Sequence, residues 1–139
     1  MNLEPIVVLH IPDKPIPATR PRYSSGGRVY NPRARKQTEL QLRLQESLGE
    51  DWVPLKQPIA VELQFRYGLT KTDRAEKRKI REPRRMSPDL DNLAKFILDA
   101  MNGVVYTDDR WVSTLYCSKI YAPENETIVT IYPDSGEVE

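Results

Sequence analysis

Between Leu55 and Tyr67 the chain alternates, with Ile59, Val61, Leu63, Phe65 and Tyr67 falling on one side and Glu62, Gln64 and Arg66 on the other. A period of two is the signature of a strand with one buried face and one wet face. The apolar side has to be covered by another layer of structure.

Two segments have the period to cover it. Asn31-Pro32 opens a helix, because Asn is a favoured N-cap and Pro is tolerated in the first turn. Leu40, Leu44 and Leu48 then recur at four-residue spacing, with Leu42 off the stripe, until Gly49 stops the pattern. From Asp89 to Asn102 a second stripe forms from Leu90, Leu93, Ile97, Ala100 and Met101, and Asn102-Gly103 closes it. Ile6 to Ile11 reads as a largely buried strand, and Val104-Val105-Tyr106, Trp111 to Tyr121 and Thr127 to Tyr132 supply more strand, the last two joined by a turn at Glu124-Asn125. The order β, α, β, α, β, β predicts an α+β fold, a mixed β-sheet with two main helices packed on it, and the 139 residues suit one domain spanning the whole chain.

Two stretches stand outside this pattern. Pro12, Pro15, Pro17 and Pro21 resist both helix and ladder, and Ser24-Ser25-Gly26-Gly27 forms a flexible tip, so a hairpin-like excursion is expected there. Thr70 to Met86 is almost devoid of apolar residues apart from Ala75, Ile80 and Met86, and reads as a basic, mobile insertion with a short helix capped by Asp73 and Glu76. Asp134 to Glu139 reads as a frayed acidic tail.

The residue inventory removes whole classes of chemistry. Cys117 and His10 are each the only one of their kind, which excludes intrachain disulfides, zinc sites of four cysteines or of paired cysteines and histidines, and the HExxH pattern. Any Ser-His-Asp triad would have to use His10. His10 and Cys117 both fall in expected strands and read as packed side chains, as do Trp111, Tyr106 and Tyr116. With no long apolar run and no signal-peptide pattern, a cytosolic location is expected. An enzyme with this inventory works with carboxylates and lysine.

The formal charge of +1 hides a strong segregation. Basic residues crowd two stretches, Lys14 to Arg43 and Arg66 to Arg85, while half of the acids lie from Asp89 onward. Arg20, Arg22, Arg28 and Arg33 in the first stretch, and Arg78, Lys79, Arg84 and Arg85 in the second, are candidate contacts to DNA phosphates.

The acids themselves are patterned. Asp89 and Asp91 stand two apart at the start of the second helix, so both carboxylates can face one point. Lys95 lies one turn beyond Asp91 and Asp99 one turn beyond Lys95, with Asn92 beside them. Asp108-Asp109 follows the segment that returns from the helix end. Carboxylates converging this way repel one another unless a cation sits between them, and hard oxygen ligands without His or Cys point to Mg²⁺ or Mn²⁺. A plainer reading stands beside this one: a helix cap, a solvated turn and a surface charge ladder.

The run Ser87-Pro88-Asp89-Leu90-Asp91-Asn92-Leu93-Ala94-Lys95, continuing through Asp99-Ala100-Met101-Asn102-Gly103 to Asp108-Asp109-Arg110, closely resembles the RusA family of Holliday junction resolvases. Arg20-Pro21-Arg22-Tyr23 and Gly27-Arg28-Val29-Tyr30 look like the start of that family. The resemblance implies a bacterial or phage homodimer that cuts four-way DNA junctions by paired, symmetric nicks with Mg²⁺ or Mn²⁺, in recombination and repair. It implies Asp89, Asp91 and Asp109 as essential metal-binding carboxylates, Lys95 as a catalytic lysine, and Asp108, Asn92 and Asp99 as supporting residues, Asp108 also being a candidate metal ligand. The insertion at 70–86 is longer and more charged than a minimal member needs. Two alternatives remain open, a less selective nuclease for flaps and branched DNA and a non-catalytic DNA-binding accessory protein.

Overall fold

A computed structural model describes residues 4–20 and 22–135. Pro21 of the proline-rich loop and residues 136–139 of the expected acidic tail lie outside them. The ordered elements are β1 (Val7–Ile11), β2 (Arg22–Tyr23), β3 (Val29–Tyr30), α1 (Ala34–Leu48), β4 (Ile59–Gly68), α2 (Lys71–Ala75), α3 (Leu90–Met101), a 3-10 turn (Asp109–Trp111), β5 (Val112–Ala122) and β6 (Glu126–Pro133). This is the α+β arrangement expected from the sequence.

The alternating strand becomes β4, which lies between two partners in the sheet. Its neighbours give the order β1-β6-β4-β5, in which β6 runs antiparallel to both β1 and β4 while β5 runs parallel to β4. Ile59, Val61, Leu63, Phe65 and Tyr67 are all buried, and Val129, Ile131, Leu9 and Ile11 continue their side of the sheet. α1 contributes Leu40 and Leu44, and α3 contributes Leu93, Phe96, Ile97, Ala100 and Met101, to the same core. Both helices lie on that one face, and burial of their stripes supplies most of their stability.

Four local expectations need correction. β1 is an edge strand covered on one face, so Leu9 and Ile11 are buried while Val8 and His10 are exposed. His10 is accordingly not packed but bonds Glu126 at 2.9 Å. Tyr116 stands 66 % exposed because it pairs with Glu62 on the wet side of β4. Val104-Val105-Tyr106 is not a strand. Gly103, at a φ of +80°, turns the chain back under α3, and isolated bridges from Tyr106 to Asn102 and Leu55 replace a ladder. All three residues are buried there as a plug, so their apolar character served burial without strand geometry.

The proline-rich excursion carries the β2–β3 hairpin, closed by Ser24 and Arg28. Asn31 accepts from the Arg33 N–H at 2.9 Å but is not the expected N-cap: that position falls to Arg33, which makes no side-chain capping bond, and α1 begins at Ala34, beyond Pro32. The 70–86 stretch holds the expected short helix as α2, with a capping box between Thr70 and Asp73; Glu76 stands at its other end. Beyond α2 the stretch runs along β5, with backbone bonds from Arg81 to Tyr121, Tyr121 to Glu82 and Arg84 to Lys119. Few apolar side chains are needed for this course, because a strand edge supplies the partners. The tail is tied at its start, where Asp134 accepts from Ser113 and Thr114 at 2.7 Å.

Candidate active site

α3 presents most of the chemistry. Its buried stripe fixes which way the remaining side chains point, so Asp91, Asn92 and Lys95 are exposed and Asp99 is half-buried. Asp89 is the residue before the first turn, in extended backbone, and its carboxylate makes no capping bond to the helix. Among the described residues the Asp91 carboxylate accepts only from the adjacent Asn92 N–H, at 3.0 Å. Lys95 turns towards the helix C-terminus and meets Asp99 at 3.1 Å, forming half of the anticipated ladder and leaving Asp91 without a cation among the described residues. The Asn92 carbonyl accepts from the Ala18 N–H at 2.9 Å, which ties the proline-rich loop to α3.

The second acidic pair splits into two roles. Asp108 caps the 3-10 turn, its side chain accepting from the Arg110 N–H at 2.9 Å. Asp109 is exposed, and its carboxylate makes no hydrogen bond or ion pair among the described residues. The turn is held against α3 by the buried Tyr106, whose hydroxyl donates to the Leu98 carbonyl at 2.8 Å. Burial pushes this phenol far above its ordinary range, and the nearby charges of Asp109 and Asp99 add to the effect. The hydroxyl therefore remains a donor at any working pH, and the 3-10 turn that carries Asp109 lies against α3.

These residues fit a hard divalent cation in kind: Asp89, Asp91 and Asp109 are oxygen donors with little or no other commitment. In position they are still open. Among the described residues, no three of His, Cys, Asp and Glu converge closely enough to hold a metal ion.

The basic residues are placed unevenly. Arg20, Arg22 and Arg28 are exposed on the loop and hairpin. Arg33 is half-buried, its Nε enclosed without a partner, in a cleft of about 210 Å³ that Asn31 and Gln37 share with Lys95 and Asp99 of α3. That cleft joins the first basic stretch to the acidic helix. In the second stretch Lys79 and Arg85 are exposed, but Arg78 is paired with Glu76 and Glu82. Arg84 stacks 3.9 Å over the Tyr67 ring and donates to the carbonyls of Met86 and Ser87. Lys119, which sequence reasoning did not single out, donates at 2.8 Å to the carbonyls of Met86 and Pro88. The antiparallel course of residues 81–84 along β5 brings it there, and no spacing in the sequence announces that pairing.

Compared with known protein families, the chain matches the model for endodeoxyribonuclease RusA over residues 12–132. It belongs to the RusA family. The RusA match takes in the proline-rich loop, both main helices, the 70–86 stretch, β4, β5 and β6 as far as Tyr132, while β1 lies before it. RusA proteins are endodeoxyribonucleases that resolve Holliday junctions, and they are generally dependent on a divalent metal. No curated protein matches the chain. Among the described residues, no helix is long and apolar enough to cross a membrane.

Proposed function

We propose that this RusA chain is a Mg²⁺-dependent Holliday junction resolvase, acting as a homodimer that places paired nicks across a four-way junction. The observation that carries the reading is the state of the acids at α3: among the described residues the carboxylates of Asp89 and Asp109 have no hydrogen-bond or ion-pair partner and that of Asp91 has its neighbour's N–H. Carboxylates left uncommitted beside a half-buried basic cleft are suited to a cation and a phosphate.

Asp89, Asp91 and Asp109 would hold the metal, with Mn²⁺ able to take the place of Mg²⁺. When bound, a divalent ion supplies an activated water and neutralises charge at the scissile phosphate. Lys95 serves the same phosphate. Its ammonium carries three donors and Asp99 takes one, so Asp99 orients Lys95 while the others reach charge that builds up on the phosphate or the attacking water. Asn92 supports the site through the loop that its carbonyl anchors. Arg20, Arg22, Arg28 and Arg33 on one side, and Lys79 and Arg85 on the other, bind the DNA backbone, while the branched shape of the junction supplies selectivity.

A four-way junction has near two-fold symmetry and needs two cuts, which a two-fold dimer meets with two active sites. Incubation of the protein with four-way, flap and linear duplex DNA, with and without Mg²⁺, tests the reading on one gel. Symmetric nicking of the four-way junction only, and only with the ion, is expected. Equal cutting of flaps would favour a general branched-DNA nuclease, and binding without cutting an accessory protein.

A further inference from the structure

The three residues before Asp89 are held in an unusual way. Met86, Ser87 and Pro88 offer three consecutive carbonyls, and two cations from different parts of the fold take all of them. Lys119, reaching from β5, donates to Met86 and Pro88, both at 2.8 Å. Arg84, from the end of the insertion, donates to Met86 at 3.1 Å and to Ser87 at 2.9 Å. The two cations are also tied to each other, because the Arg84 N–H donates to the Lys119 carbonyl at 3.0 Å. Arg84 is further fixed by its stacking on the buried Tyr67. Among the described residues neither cation forms an ion pair with a carboxylate.

Charge-assisted bonds to carbonyls are stronger than neutral ones, and four of them on three residues fix a backbone that has no regular structure of its own. The next residue is Asp89, whose own side chain takes no part in capping the helix. Its position is therefore set from upstream, by the backbone that carries it. We propose that Lys119 and Arg84 are positioning residues for Asp89: they lock the 86–88 backbone so that the Asp89 carboxylate meets a divalent cation in one place. This inference rests on the reading of Asp89 as a metal ligand. It also gives the basic insertion a task within the protein, since its last turn delivers Arg84 to the site. Groups that hold a ligand in place typically affect metal affinity by about 10- to 100-fold.

Binding of Mn²⁺ to the full chain, read from the electron paramagnetic resonance signal of the free ion, tests the proposal without using cleavage. Lys119→Met should weaken Mn²⁺ binding by about tenfold, and Lys119→Arg, which restores the donors, should recover most of it. Four-way junction binding in EDTA should be unchanged in Lys119→Met. Wild-type Mn²⁺ affinity in Lys119→Met would overturn the proposal. So would weaker junction binding in EDTA with Mn²⁺ affinity intact, which would make Lys119 a DNA-binding residue. If Lys119→Met fails to fold by circular dichroism, Arg84→Lys carries the test: it keeps the charge but loses the fork, and Mn²⁺ affinity equal to wild type would overturn the proposal. Asp89→Asn measured in parallel separates the two levels. If that variant binds Mn²⁺ as wild type does, the assignment of Asp89 as a ligand fails whatever Lys119 does.

Discussion

The 70–86 insertion and the acidic face of α3 are both dense in charge, and they use it in opposite ways. In the insertion, Asp73 and Thr70 cap one another, Glu82 accepts from the Lys79 N–H and faces Arg78, and Arg84 is committed to carbonyls and a tyrosine ring. At α3 and the following turn, Asp89 and Asp109 have no such partner among the described residues. Charge that is engaged within the chain replaces a missing apolar core and gives a segment its shape. Charge left open on a well-packed frame is free to meet a ligand.

The contrast is sharpest within one pair of neighbours. Asp109→Asn should reduce junction cleavage by roughly 100-fold or more, while Asp108→Ala should cost about 1 kcal/mol of local stability through the lost cap and leave cleavage within a few-fold of wild type. Cleavage rates and thermal melts of the two variants check this, and equal loss of cleavage would erase the distinction between capping and open acids.

On the insertion, Thr70→Ala removes one half of the capping box and should cost about 1 kcal/mol, read as faster amide exchange confined to 70–86. Exchange that rises across the whole chain instead would show that the insertion folds together with the core. Reversal of the exposed Lys79 or Arg85 should lower the slope of junction affinity against salt by about 0.9 log unit for each DNA phosphate that the protein no longer neutralises. The same change at Arg78, already engaged by Glu76 and Glu82, should act on the shape of the insertion more than on that slope.

The smallest effect concerns pH. The N–H groups of Thr70 and Lys79, donating to Asp73 and Glu82, hold these carboxyls below the ordinary 3.8 and 4.5. Folded values below the unfolded ones mean that their contribution is complete above the ordinary range and is lost as the pH falls through the folded values. Amide exchange in the insertion should therefore accelerate from about pH 4 downward, ahead of the core. A protection pattern independent of pH across that range would contradict the engagement of these two acids.

Much of this was legible from residue order. The stripe of Leu93, Ile97 and Ala100 gives α3 its orientation, and that orientation decides that Asp91 and Lys95 face outward. The alternation from Ile59 to Tyr67 gives the sheet its buried side. What could not be read was long-range pairing. Periodicity shows that Trp111 to Tyr121 is extended but not that it lies parallel to β4 or that residues 81–84 run along its other edge, and so it hides the meeting of Lys119 with Pro88. Val104-Val105-Tyr106 misleads for a related reason: apolar and β-branched residues signal burial as readily as they signal a strand. The resemblance already set Asp109 ahead of Asp108, and the structure adds the Asp108 bond to the Arg110 N–H, which spacing does not reveal.

The central claim is that the open acids of α3 exist to hold the cation that cleavage needs. Asp91→Asn, assayed for binding and cutting of the same labelled four-way junction in Mg²⁺, addresses it most directly. The account predicts a variant that binds the junction with wild-type affinity and leaves it uncut. Full cleavage by Asp91→Asn would contradict it.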